Sequence, residues 1–92
     1  MKNVSAHLKI SGRVQGVFFR ATAKEIAEKN TLTGWVKNLS DGNVEAIVSG
    51  DKAGVEKFIE WCKHGPEKAV VEDMQISYIE EKNFKEFKVI KG

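Results

Sequence analysis

The sequence predicts an α+β fold: a single antiparallel sheet with two helices packed on one face. Apolar residues recur at every second position in some stretches and at helical spacing in two others. Those stretches read strand, helix, strand, strand, helix, strand, with a short strand appended, so each helix crosses over between strands of one sheet. Size agrees: 92 residues, 41% hydrophobic and 30% charged, suit one globular domain over 1–92 with one core.

Ala6, Leu8 and Ile10 alternate with His7, Lys9 and Ser11, the mark of a half-buried strand that closes at Ile10. Gly12 and Gly16 are expected to bracket a tight turn. From about Arg20 the spacing becomes helical, with Ala23, Ile26 and Ala27 on one face and Lys24, Glu25, Glu28 and Lys29 turned outward. Asn30 is expected to end this helix in a left-handed conformation. Leu32 to Leu39 is the second strand, and Ser40-Asp41-Gly42-Asn43 supplies a hairpin turn. In the third strand Val44, Ala46 and Val48 alternate with Glu45, Ile47 and Ser49, and Gly50 ends it. Asp51 is placed to cap a second helix, whose Val55, Phe58, Ile59 and Cys62 form a buried stripe and which Gly65 and Pro66 stop. Met74, Ile76 and Tyr78 alternate with Gln75, Ser77 and Ile79 in a fourth strand; Phe87 and Val89 mark a short fifth. This order of elements is that of a ferredoxin-like βαββαβ sandwich.

The junction between the first strand and the first helix is where chemistry is expected. No Ser, Thr, Asp or Asn stands immediately before the helix, so its first N–H groups lack the usual side-chain cap. A Gly-bearing loop precedes it and Arg20 stands in its first turn, which together suit an anion, here a phosphate.

The string Gly12-Arg13-Val14-Gln15-Gly16-Val17-Phe18-Phe19-Arg20 resembles a signature of the acylphosphatase family. Gly34-Trp35-Val36-Lys37-Asn38, followed by Gly42-Asn43-Val44 and then Gly50, resembles that family's other signature, in the expected order and spacing. The resemblance runs from the first strand to the Gly65-Pro66 turn and the strands beyond. It implies hydrolysis of the carboxyl–phosphate bond of acyl phosphates to a carboxylate and inorganic phosphate, without a cofactor. It also implies roles. Gln15, Gly16, Val17, Phe18, Phe19 and Arg20 match the phosphate-binding loop, whose backbone N–H groups surround the anion. Arg20 matches the catalytic Arg, and Asn38 matches the catalytic Asn that orients the attacking water. Such a substrate is already activated, so the protein need only hold the phosphoryl group, stabilise its charge and place a water. The Arg fork takes two phosphate oxygens at once, and an Asn amide both donates and accepts without ionising. Two departures stand out. Phe18 fills a position that varies among relatives, and the sequence ends Ile90-Lys91-Gly92 without the terminal aromatic residue some relatives carry.

Other residues read as structural. One of Phe18 and Phe19 should pack inward, and neither side chain is given a chemical role. Trp35 and Cys62 belong to packing, His64 to a helix C-terminus, and Glu80, Glu81 and Lys82 to a solvated connection.

Composition narrows the class. Net charge is +2, with 15 basic and 13 acidic residues, which argues against nucleic acid or membrane as partner. One cysteine excludes an intrachain disulfide and a cysteine cage, and the two histidines have no carboxylate at metal-ligand spacing, so no metal is expected. Met1-Lys2-Asn3-Val4 leads straight into a strand pattern and no apolar run is long enough to span a bilayer, so a cytoplasmic monomer acting on a small acyl phosphate is expected. Two binding modules with this element order fit less well. An RNA-recognition domain carries base-stacking aromatics on its third strand, and residues 43–50 have none; a metal chaperone needs paired cysteines after the first strand. Because domains resembling this family also occur inside larger maturation enzymes, a protein-bound anhydride is a second substrate the resemblance allows.

Overall fold

The alternation of strand and helix patterns resolves into seven elements in the computed structural model, which describes residues 2–91. They are β1 (Asn3–Arg13), α1 (Phe19–Lys29), β2 (Thr33–Asn38), β3 (Val44–Asp51), α2 (Lys52–Cys62), β4 (Val70–Ile79) and β5 (Phe87–Ile90). The strands form one five-stranded sheet in the order β4-β1-β3-β2-β5.

β1 pairs antiparallel with β3 and β4, and β2 antiparallel with β3, but β5 lies parallel to β2. The sheet is therefore mixed rather than purely antiparallel, and the route of the chain is the reason. β4 finishes with Ile79 beside Ser5; Ser5 pairs with Ser49 and Ser49 with Thr33, so β4 ends where β2 begins. Residues 80–86 cross the sheet at that end, with Lys82 N donating to Ser5 Oγ (2.9 Å) and Gly34 N to Glu86 O (3.0 Å). Fully extended they reach about 23 Å, enough for the roughly 19 Å of four strand spacings. Starting from that end, β5 has to run alongside β2. Ser5 and Ser49 lie buried, their hydroxyls paired at 2.6 Å, so the polar groups in this region are satisfied.

Five local expectations change. β1 does not close at Ile10; it continues through a bulge between Ser11 and Gly12. Gly12 sits in that bulge rather than in a turn: its φ is 124°, and a Cβ there would lie 2.1 Å from Val70 O. Asn30 is not left-handed (φ −101°); the left-handed residue is Thr31 (φ 57°), and Asn30 instead donates from Nδ2 to Ile26 O at 2.9 Å. Gly50 does not end β3, since it pairs with Val4 and the strand runs on to Asp51, which precedes α2 without a side-chain capping bond.

The core forms between the helices and one sheet face. Ala6, Leu8 and Ile10 of β1, Val36 of β2, and Val44, Ala46 and Val48 of β3 meet Ala23 and Ala27 of α1 and Val55, Phe58, Ile59 and Cys62 of α2, all buried. Phe58 packs on Phe87 of β5 (ring centroids 5.7 Å apart). Met74, Ile76 and Tyr78 pair with Ile10, Leu8 and Ala6, yet Ile76 and Tyr78 stay exposed because β4 is an edge beyond the helices' cover. For function the key consequence is direction. β1, β2 and β5 run the same way, so their C-terminal ends, at Arg13, Asn38 and Ile90, share one end of the sheet.

Candidate active site

At that end the chain leaves β1 through residues 14–18 and enters α1. Val14, Val17 and Phe19 are buried, and Phe19 packs on Trp61 of α2 with ring centroids 5.2 Å apart. Between these anchors Phe18 is 79% exposed and left-handed (φ 65°, ψ 22°). A left-handed non-Gly residue costs roughly 1–2 kcal/mol, here imposed by the buried side chains flanking Phe18. Gly16 is also left-handed (φ 74°), with open space where a Cβ would lie. Left-handed residues in such a loop turn successive N–H groups toward one point, as anion-binding nests do.

The start of α1 bears out the missing cap. Phe18 occupies the N-cap with no side-chain bond, and the first turn holds no acidic residue. Thr22 N donates to Phe18 O (3.1 Å), so the amides of Phe19, Arg20 and Ala21 precede the helical ladder. Arg20 is half-buried and spends one donor, Nη1, on Ile90 O at 3.3 Å. β5, by running parallel to β2, puts that carbonyl there.

Asn38 ends β2 at the same end. Its Oδ1 is buried and accepts no hydrogen bond among the described residues, a loss worth about 1–3 kcal/mol. Arg20 and Asn38 both line a cavity of about 320 Å³, together with Val14, Gly16, Phe18, Phe19, Ala21, Val89 and Lys91. Among the described residues no carboxylate lines it, while Arg20 and Lys91 do, so their charge favours an anion.

Five of the seven residues singled out from the sequence thus meet at one cavity: Gly16, Phe18, Phe19, Arg20 and Asn38. Gln15 and Val17 do not line it. Val17 is in the core, and the Gln15 amide turns to the β2–β3 hairpin. Sequence reasoning missed Val89 and Lys91, which only the parallel pairing of β5 brings to the site. Phe19 is the phenylalanine that packs inward.

The remaining titratable groups stand elsewhere. Neither histidine lines the cavity. His7 Nε2 lies 2.7 Å from Glu45 Oε2, which was not foreseen, and Glu45 Oε1 also faces Lys37 Nζ at 3.6 Å. In the hairpin, the Asn43 amide donating to Asp41 (3.0 Å), with Lys9 3.4 Å away, holds that carboxyl below its ordinary range. Burial pushes the Cys62 thiol up. Among the described residues no group of three or more His, Cys, Asp or Glu could hold a metal, and no helix is long and apolar enough to cross a membrane.

Fold and cavity together define a ferredoxin-like α+β protein whose uncapped strand–loop–helix junction opens on a cavity. The acylphosphatase family model matches residues 6–89. An acylphosphatase of Gloeobacter violaceus is 43% identical over 97% of this chain and 96% of its own length, and one of Pyrobaculum islandicum is 49% identical over 98% and 97%. The solved structure of an acylphosphatase from Coxiella burnetii superposes with a TM-score of 0.92 at 39% identity, covering 96% of this chain and 93% of the other. The chain belongs to the acylphosphatase family.

Proposed function

We propose that this chain hydrolyses acyl phosphates, releasing a carboxylate and inorganic phosphate. Family membership supports the reaction. The roles of its residues rest on one observation: an uncapped helix start, Arg20 and the unpartnered Asn38 Oδ1 all face one cavity.

The amides of residues 16–20 and the Arg20 guanidinium bind the phosphoryl oxygens, and Ile90 O steadies Arg20 from behind. Asn38 Oδ1 accepts a hydrogen bond from a water and aims it at phosphorus. The water oxygen bonds to phosphorus as the bond to the acyl oxygen breaks; the carboxylate leaves, and the water's proton goes to the phosphate product. A carboxylate is a good leaving group, so little proton removal is needed in the transition state. Val14, Val89 and Phe18 supply apolar wall for the acyl group. All these residues come from one copy of the chain, so a monomer suffices, and the free, buried Cys62 suits a reducing, cytoplasmic setting.

The test is a hydrolysis assay on a simple acyl phosphate with inorganic phosphate as competitive inhibitor. Arg20→Lys keeps the charge but loses the fork; its turnover falls on the order of 10²–10³, the effect of one preorganised contact worth about 2.7–4 kcal/mol. Turnover within a few-fold of the parent removes Arg20 from the site, and phosphate binding without turnover makes the chain a binding module.

A further inference from the structure

The Gln15 side chain makes no use of the cavity, yet it joins the two halves of the site. Sheet order keeps β1 and β2 apart: Ile10 pairs with Val44, and Val44 with Asn38, so β3 lies between them. The loop leaving β1 and the residue ending β2 are thus two strand spacings apart, about 10 Å, with no ladder bond connecting them. Gln15 bridges the gap. Its Nε2 has two hydrogens and donates to Leu39 O at 2.7 Å and to Asn43 O at 2.9 Å. Leu39 directly follows Asn38. The same two carbonyls close the hairpin, Asn43 O accepting from Leu39 N (2.8 Å) and Leu39 O from Gly42 N (3.2 Å). Each oxygen has two lone pairs; one serves the hairpin and the other serves Gln15.

We propose that Gln15 is a positioning residue whose side-chain amide ties the phosphate-binding loop to the β2–β3 hairpin and so holds Asn38 in register with the bound phosphoryl group. The proposal rests on the roles given above to the loop and to Asn38. A neutral amide suits the task, because it carries two donors on one nitrogen and adds no charge beside the anion. The loop itself stays anchored by Val14, Val17 and Phe19, which are buried on their own account. Loss of the tether therefore costs turnover and spares affinity.

The experiment measures kcat, KM and phosphate inhibition for Gln15→Met and Gln15→Glu, in the parent and in an Asn38→Ala background, with thermal unfolding to confirm that each variant is folded. In the parent, Gln15→Met lowers kcat about tenfold to a hundredfold, the scale of a misplacement near 1 Å. Its KM and phosphate inhibition stay within about threefold, the pattern of an interaction used in the transition state. In the Asn38→Ala background the same change lowers kcat less than about twofold, since the group it positions is gone. Gln15→Glu keeps the shape but has no donor; it loses kcat as well and raises KM by placing charge near the anion. Equal losses in both backgrounds would mean a general structural role and overturn the proposal. Parental kcat in either Gln15 variant does the same, even where the other fails to fold. Failure of the underlying reading shows separately: Asn38→Ala alone keeps its turnover, and the tether falls with it.

Discussion

Asn38 sits at the end of a strand where an Asn ordinarily serves the following turn, and here the turn does not use it. Leu39, Asp41, Gly42 and Asn43 make the hairpin bonds, while Asn38 Oδ1 is buried at the cavity with no hydrogen-bond partner among the described residues. Under the proposed mechanism that oxygen is held for water. Asn38→Ala should lower kcat on the order of 10²–10³, while phosphate inhibition persists because Arg20 and the loop hold the anion independently. The proposed mechanism sends the water's proton to the phosphate product and uses no side chain as base, so the parental pH–rate profile is flat across the neutral range. A steep bell centred near pH 7 instead assigns the water's proton to a titrating base, and near-normal turnover of Asn38→Ala returns the residue to a turn role.

β1 shows what a strand pattern reveals and what it hides. Alternation over Ala6, Leu8 and Ile10 marks the strand, and the absence of a capping side chain before Phe19 marks the uncapped helix start, since both are statements about neighbours in the chain. The place of Gly12 is not legible in the sequence, because a bulge is a property of two strands and Val70 lies far away along the chain. The same limit hid Lys91 and Val89, whose place depends on β5 pairing parallel to β2, and hid the bonds from Gln15 to Leu39 and Asn43. Gly12→Ala tests the bulge. With φ at 124° and Val70 O at 2.1 Å from the added Cβ, the change should cost roughly 1–3 kcal/mol. For a domain of this size each kcal/mol lowers the melting temperature by about 4–8 °C. An unchanged melting temperature would show that the two strands part readily at this point.

Taken whole, the molecule is a two-layer scaffold whose sheet delivers three strand ends, and one helix start, to a single cavity, the proposed phosphate site. Ligand that binds only the folded state stabilises it, by about 2.7 kcal/mol at 100 times the dissociation constant. Phosphate should therefore raise the melting temperature beyond chloride at matched ionic strength, and Arg20→Ala should abolish the difference; equal shifts from both salts place the anion elsewhere. The most direct test follows the atoms. In the proposed mechanism water attacks phosphorus, not the acyl carbon, because the loop, Arg20 and Asn38 face the cavity that takes the phosphoryl group. Hydrolysis of an acyl phosphate by the purified chain in heavy-oxygen water, with mass analysis of both products, should find the label in inorganic phosphate and none in the carboxylate. Label in the carboxylate would contradict it.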